Sequence, residues 1–120
     1  MKRGIYFIAE GATEVQFIES SLRHHFIAKG IYDIRAFDMG GSNSYGKYYT
    51  DVTTFLKKEN DIIVTSMIDF FRLPTDFPGY YEAKKLNGND RQIAAIETEI
   101  NQRINHQRFV PYIQLHEFEG

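Results

Sequence analysis

Cysteine is absent from the 120 residues, which excludes a disulfide framework, a thiolate metal site and a cysteine nucleophile. Any metal must be held by oxygen or imidazole. A basic excess is lacking too. With 14 Lys+Arg against 16 Asp+Glu, the net charge of −2 argues against a nonspecific polybasic DNA binder, whose phosphate contacts need clustered cations. That balance still admits an enzyme that approaches nucleic acid through metal ions. Long apolar runs are also missing. The stretch 5–9 after Lys2 and Arg3 is too short for a signal sequence or a membrane span, so a cytoplasmic location without membrane association is expected. The 42% hydrophobic and 15% aromatic residues suffice for the core of a single domain over 1–120 and exclude disorder for most of the chain.

Ile5-Tyr6-Phe7-Ile8-Ala9 reads as a strand buried on both faces that delivers Glu10 to its C-terminal edge. Thr13 and Gln16 have the spacing of a capping box, and Val15, Ile18, Leu22 and Phe26 recur at helical spacing up to a stop at Gly30. A second, less buried strand is predicted over 31–39, with Tyr32, Ile34 and Ala36 on one face, and a flexible glycine-rich loop over 40–44. Tyr48, Val52, Phe55 and Leu56 mark a second helix ending near Asn60. The run 62–68 is the most strand-like in the chain and stops at Asp69. Over 70–88 the periodicity disappears amid Pro74, Pro78, Gly79 and several aromatics, which predicts a long, semi-rigid functional loop. Asp90 is placed to cap a third helix carrying Ile93, Ile96, Ile100 and Ile104, and 109–118 reads as a fourth strand. The order βαβαβαβ predicts an α/β fold with about four mostly parallel strands flanked by helices, whose right-handed crossovers bring the strands' C-terminal ends to one edge. Glu10, Asp69 and Glu117 are expected to converge there.

Three blocks of sequence carry a resemblance. Glu10-Gly11-x-x-Glu14, the run 67–79 with Asp69, Asp76 and Pro78-Gly79, and the run 109–119 ending His116-Glu117-Phe118-Glu119 resemble domain-of-unknown-function family 4276. That family is related to TOPRIM, the metal-dependent module of topoisomerases, primases and overcoming-lysogenization-defect nucleases. The resemblance implies a TOPRIM-like, Rossmann-like three-layer fold and, for some relatives, an association with ATPases in bacterial defence loci. The wider TOPRIM pattern has Asp-x-Asp on the third strand, whereas here Asp69 is followed two positions later by Phe71. Either Asp76, Glu117 or Glu119 supplies the missing oxygen, or the site is weaker than an ordinary one. The resemblance also implies further sequence after Gly120, so a domain truncated at its C-terminus is expected.

Mg²⁺ and Mn²⁺ take hard oxygen ligands, usually a few carboxylates with waters and phosphate oxygens. Glu10 and Asp69 are the expected principal ligands and catalytic acids, with Glu117 completing the set and Glu14 and Glu119 as further candidates. Such a metal polarises a scissile phosphate without a tuned nucleophilic side chain. The bland alternative is that strand-terminal acids solvate the sheet edge, and that Glu14, in the first helical turn, answers the helix dipole. His116 reads as a structural histidine, a ligand or a proton shuttle, whereas His24 and His25 point to different sides of one helix and form no paired site. Arg72, Lys84, Lys85 and Arg91 surround the aromatic loop and are candidates for contact with a nucleic-acid backbone, a solvated surface being equally plausible. The expected function is a Mg²⁺/Mn²⁺-dependent nuclease or phosphodiesterase acting on DNA or RNA. The alternative is a non-catalytic module that docks onto an ATPase through the aromatic loop 70–81, with Phe77 as a contact, a reading the missing second aspartate favours.

Overall fold

The structure, a computed structural model, describes residues 3–39 and 44–115. The central strand β1 (Gly4–Ala9) is buried along its whole length because it has a parallel neighbour on each side, β2 (Asp33–Asp38) and β3 (Ile62–Asp69). Two short strands, β4 (Phe109–Val110) and β5 (Ile113–Gln114), extend the sheet beside β3, giving the order β2-β1-β3-β4. The parallel sheet with helices on both faces is a Rossmann-like three-layer α/β fold.

The chain steps from β1 outward to β2, then back across β1 to β3. Right-handed crossovers in opposite directions put their helices on opposite faces. The first helical unit, α1 (Ala12–Phe17), a π-helical turn (Ile18–Leu22) and α2 (Arg23–Ile27), covers the face made by Ile5, Phe7, Ala9, Ile34 and Met67. The helix α3 (Tyr45–Lys58) and, after the short α4 (Tyr80–Ala83), the long α5 (Asn89–Ile104) cover the other face, made by Tyr6, Ile8, Val64, Ile68 and Phe109. Period-two alternation along β1 and β3 supplies both cores. Among the described residues, no helix is long and apolar enough to cross a membrane.

Local signals failed where a side chain was needed elsewhere or the backbone sufficed. The first helix starts at Ala12 with Gly11 at its cap and no side-chain capping bond, so Thr13 lies inside the first turn and the expected capping box is not made. Asp90 likewise lies in the first turn of α5, whose cap is Gly88. The stop at Gly30 does form: its φ of +88° lets Ile31 N–H reach back to Phe26 C=O at 2.9 Å. Strand β2 is two residues shorter at its start than expected, and Tyr32 is exposed rather than on a buried face. Of the glycine-rich loop, 40–43 lie outside the described residues, and Ser44 caps α3 by accepting from Lys47 N–H.

The segment 70–88 is largely irregular, as expected, broken only by the 3₁₀ turn Phe70–Arg72 and α4, but it is anchored to the core. Phe70, Leu73, Phe77 and Ala83 are buried and close the α3/α5 core, with the Phe77 ring 5.3 Å from those of both Tyr45 and Tyr48. At Gly79 the φ is +78° and Glu99 Cγ stands 2.8 Å from where a Cβ would be, so only glycine fits after Pro78.

The fourth strand is interrupted at Pro111, which has no N–H for the ladder, and the same register resumes at Ile113. Ser66 takes over at the break: its hydroxyl accepts from Tyr112 N–H (3.1 Å), lies 2.9 Å from Tyr112 C=O and meets the buried Tyr48 hydroxyl at 2.9 Å. Ser66→Ala leaves that phenol buried without its partner, and a loss of about 1–3 kcal/mol in urea unfolding is expected. Much of it should be regained in the Ser66→Ala/Tyr48→Phe double variant; strict additivity of the two changes would show that the hydroxyls are not coupled.

Candidate functional site

Because β2 and β3 lie on opposite sides of β1, the connections diverge between β1 and β3, and the position where open α/β sheets form a crevice lies beyond the C-terminal ends of these two strands. Open α/β sheets bind ligands at such a switch point. Glu10 follows β1 directly and Asp69 ends β3, so both acids stand at the crevice, 8% and 3% exposed.

The two carboxylates are held differently. Asp69 Oδ1 accepts from Phe71 N–H at 3.0 Å, which caps the short 3₁₀ turn Phe70–Arg72. Glu10 Oε2 is buried and accepts no hydrogen bond. Burial pushes the Glu10 carboxyl up to about 7; a hydrogen bond from the Asp69 backbone opposes this, the negative charges of Asp69 and Glu14 reinforce it, and the Arg72 guanidinium opposes it. Arg72, itself mostly exposed, spans the pair, with Nη1 4.0 Å from Glu10 Oε1 and Nε 4.0 Å from Asp69 Oδ2. Both separations are too long for hydrogen bonds. The negative charge of the two carboxylates makes the place between them attractive to a cation.

The opposite edge of the sheet is a useful contrast. There Arg3 bonds Asp33, Glu59 and Asp61, Arg35 adds a second contact to Asp33, and Tyr6 donates to Glu59. Strand-edge acids in this fold are neutralised at close range when their role is structural.

Other expected site residues are distributed as follows. Glu14 is half-buried in the first turn of α1, near enough to Glu10 to raise its proton affinity. Asp76 is committed elsewhere, since both its oxygens accept from Tyr45 N–H at the start of α3 (3.2 and 3.1 Å). Phe77, expected as a partner contact, is 2% exposed and belongs to the core, so the ring is not available to a partner. Lys84 lies with its ammonium over the Phe70 ring (4.6 Å) and the Tyr80 ring (5.0 Å), and Arg91 is exposed in the first turns of α5. His116, Glu117 and Glu119 lie outside the described residues. His24 and His25 are exposed on α2, away from any acid pair.

Two residues were not singled out from sequence. Asp38 ends β2, in register with Ala9, and lines a groove of about 440 Å³ with Gln16, Glu19 and Ser20. Its place after an alternating run was the available signal. Phe71 is 60% exposed while its neighbour Phe70 is buried, a difference that two identical side chains in sequence do not signal.

Among the described residues, no three His, Asp or Glu side chains form a metal-holding group by themselves. Two carboxylates still fit Mg²⁺, which commonly binds through one or two of them and fills its octahedron with water and phosphate oxygens.

The sequence profile of one family matches residues 9–120. The chain belongs to that family, described as Domain of unknown function (DUF4276). The matched span opens on the last residue of β1, immediately before Glu10, and takes in Asp69, so the family's extent includes both acids of the crevice. No curated protein and no solved structure matches the chain.

Proposed function

We propose that the chain is a TOPRIM-like, Mg²⁺- or Mn²⁺-dependent phosphodiesterase or nuclease domain that acts on nucleic acid as part of bacterial defence. One observation carries the reading: two buried acids meet at the switch point, and Glu10 Oε2 accepts no hydrogen bond there, whereas the acids of the opposite edge are bonded to arginine. Solvation of a sheet edge does not require buried carboxylates. The TOPRIM relationship and the defence setting rest on the resemblance of the three sequence blocks.

Glu10 and Asp69 are the residues that would hold the ion. The chemistry it supplies when bound is polarisation of a phosphodiester and neutralisation of charge on the attacking or leaving oxygen. Asp69 is held in place by its bond from Phe71 N–H, so that carboxylate does not need to be ordered on binding. The mostly exposed Arg72 guanidinium stands beside both carboxylates, where a bound phosphate oxygen would meet a bidentate donor. The docking-module alternative is supported by the exposed Phe71 and Tyr81, but Phe70 and Phe77 of the same segment are buried in the core.

The test is cleavage of end-labelled DNA and RNA oligonucleotides with Mn²⁺ and with EDTA. Mn²⁺-dependent cleavage that falls by about 100-fold or more in Asp69→Ala is expected. Cleavage that survives EDTA, or an Asp69→Ala chain as active as its parent, contradicts the proposal.

A further inference from the structure

Phe71 is a large apolar ring placed where folding gives it little to do. It is 60% exposed, and it meets the buried Phe70 edge to face, with centroids 5.3 Å apart and planes at 63°. Its backbone is tied to the site, because its N–H donates to Asp69 Oδ1 at 3.0 Å. The residue therefore sits next to one of the two acids. Cations flank it: Arg72 is the next residue and reaches towards both carboxylates, and the Lys84 ammonium lies 4.6 Å from the Phe70 ring against which Phe71 rests.

We infer that Phe71 is a stacking platform for an unpaired base, and that the polynucleotide the site accepts is single-stranded, with Arg72 and Lys84 meeting its phosphates. The inference rests on the phosphodiesterase reading and specifies its substrate. An exposed aromatic face beside cations is the common arrangement for single strands, because every base has a π face that it can offer. In a duplex those faces are hidden between neighbouring base pairs, so a ring fixed beside the carboxylates meets base faces only at an end or after unstacking. Arg72 directly follows Phe71, and the Lys84 ammonium lies over the Phe70 ring that Phe71 meets, so a strand whose base stacks on Phe71 passes both cations while its backbone approaches Glu10 and Asp69.

Fluorescence anisotropy of the whole chain with a labelled strand of about 12 nucleotides, within the usual site size for such grooves, tests the inference. The strand carries 2-aminopurine, whose emission is quenched on stacking, and is used as DNA, as RNA and as the DNA duplex, in Ca²⁺ and again in EDTA. Single strands are expected to bind about ten-fold more tightly than the duplex, with quenching. Phe71→Ala is expected to weaken single-strand binding by about ten-fold and abolish the quench, while Phe71→Trp keeps both. The DNA and RNA arms identify which strand is preferred. A Phe71→Ala chain, folded by circular dichroism, that binds single strands like its parent overturns the inference, as does a parent that binds the duplex equally well. Duplex binding accompanied by Mn²⁺-dependent cleavage would overturn this inference alone. No binding of any strand, in Ca²⁺ or EDTA, would overturn it together with the phosphodiesterase reading.

Discussion

Glu10→Gln is expected to stabilise the metal-free fold at pH 8 by about 1–3 kcal/mol, although it removes a residue of the proposed site. Burial raises this carboxyl from an ordinary 4.5 to about 7. A raised acid binds its proton more tightly when folded than when unfolded, so between these two values the folded chain holds a proton that the unfolded chain has released. Stability from this group is therefore highest at acid pH, falls as the pH rises from about 4.5 to about 7, and is flat beyond. Glutamine is nearly isosteric and does not titrate. Urea unfolding of both chains should give similar stabilities near pH 4.5 and a gap in favour of Glu10→Gln that opens up to pH 7. Parallel pH profiles would show that Glu10 is not held against its charge. A fold that carries such a cost in the absence of a cation is what a cation site requires.

Arg108→Ala is expected to destabilise the fold by about 2–4 kcal/mol. The guanidinium is buried and donates to Leu56 C=O (2.8 Å) in the last turn of α3 and to Ile62 C=O (2.9 Å) at the start of β3. It thus joins the end of a helix to the strand that delivers Asp69. Its charge also faces the negative end of the α3 dipole. Truncation leaves two carbonyls without these donors and removes the packing of the stem. Lysine should recover only part of the loss, since one compact ammonium does not reproduce a two-nitrogen fork. Urea unfolding measures both variants; a loss under about 0.5 kcal/mol for Arg108→Ala would mean that water replaces the guanidinium freely.

The architecture was legible because its main signals are hydrophobic and periodic. Ile5 to Ala9 and Ile62 to Ile68 are apolar on both faces, as strands with neighbours on both sides must be, and the less apolar 31–39 became an edge strand. The meeting of Glu10 with Asp69 followed from topology, since parallel strands joined by right-handed crossovers end on one edge. Capping was not legible: Gly11 and Gly88 begin helices where Thr13 and Asp90 offered hydroxyl and carboxylate, and a side chain's local option does not decide what the backbone does. The anchoring of the segment 70–88 was not legible because it comes from contacts distant in sequence, Phe77 against Tyr45 and Tyr48, which periodicity does not register. For the same reason Phe77, expected as a partner contact, entered the core. Pro111 was visible as a break in a strand, but the repair by Ser66 depends on a residue 45 positions earlier.

The central claim is that Glu10 and Asp69 together form a divalent-cation site. Isothermal titration of Mn²⁺ into the parent, Glu10→Ala and Asp69→Ala, each shown to be folded by circular dichroism, addresses it directly. Saturable binding by the parent that is lost in both variants is the predicted result. A parent that binds no Mn²⁺, or binding that survives in either variant, would contradict it.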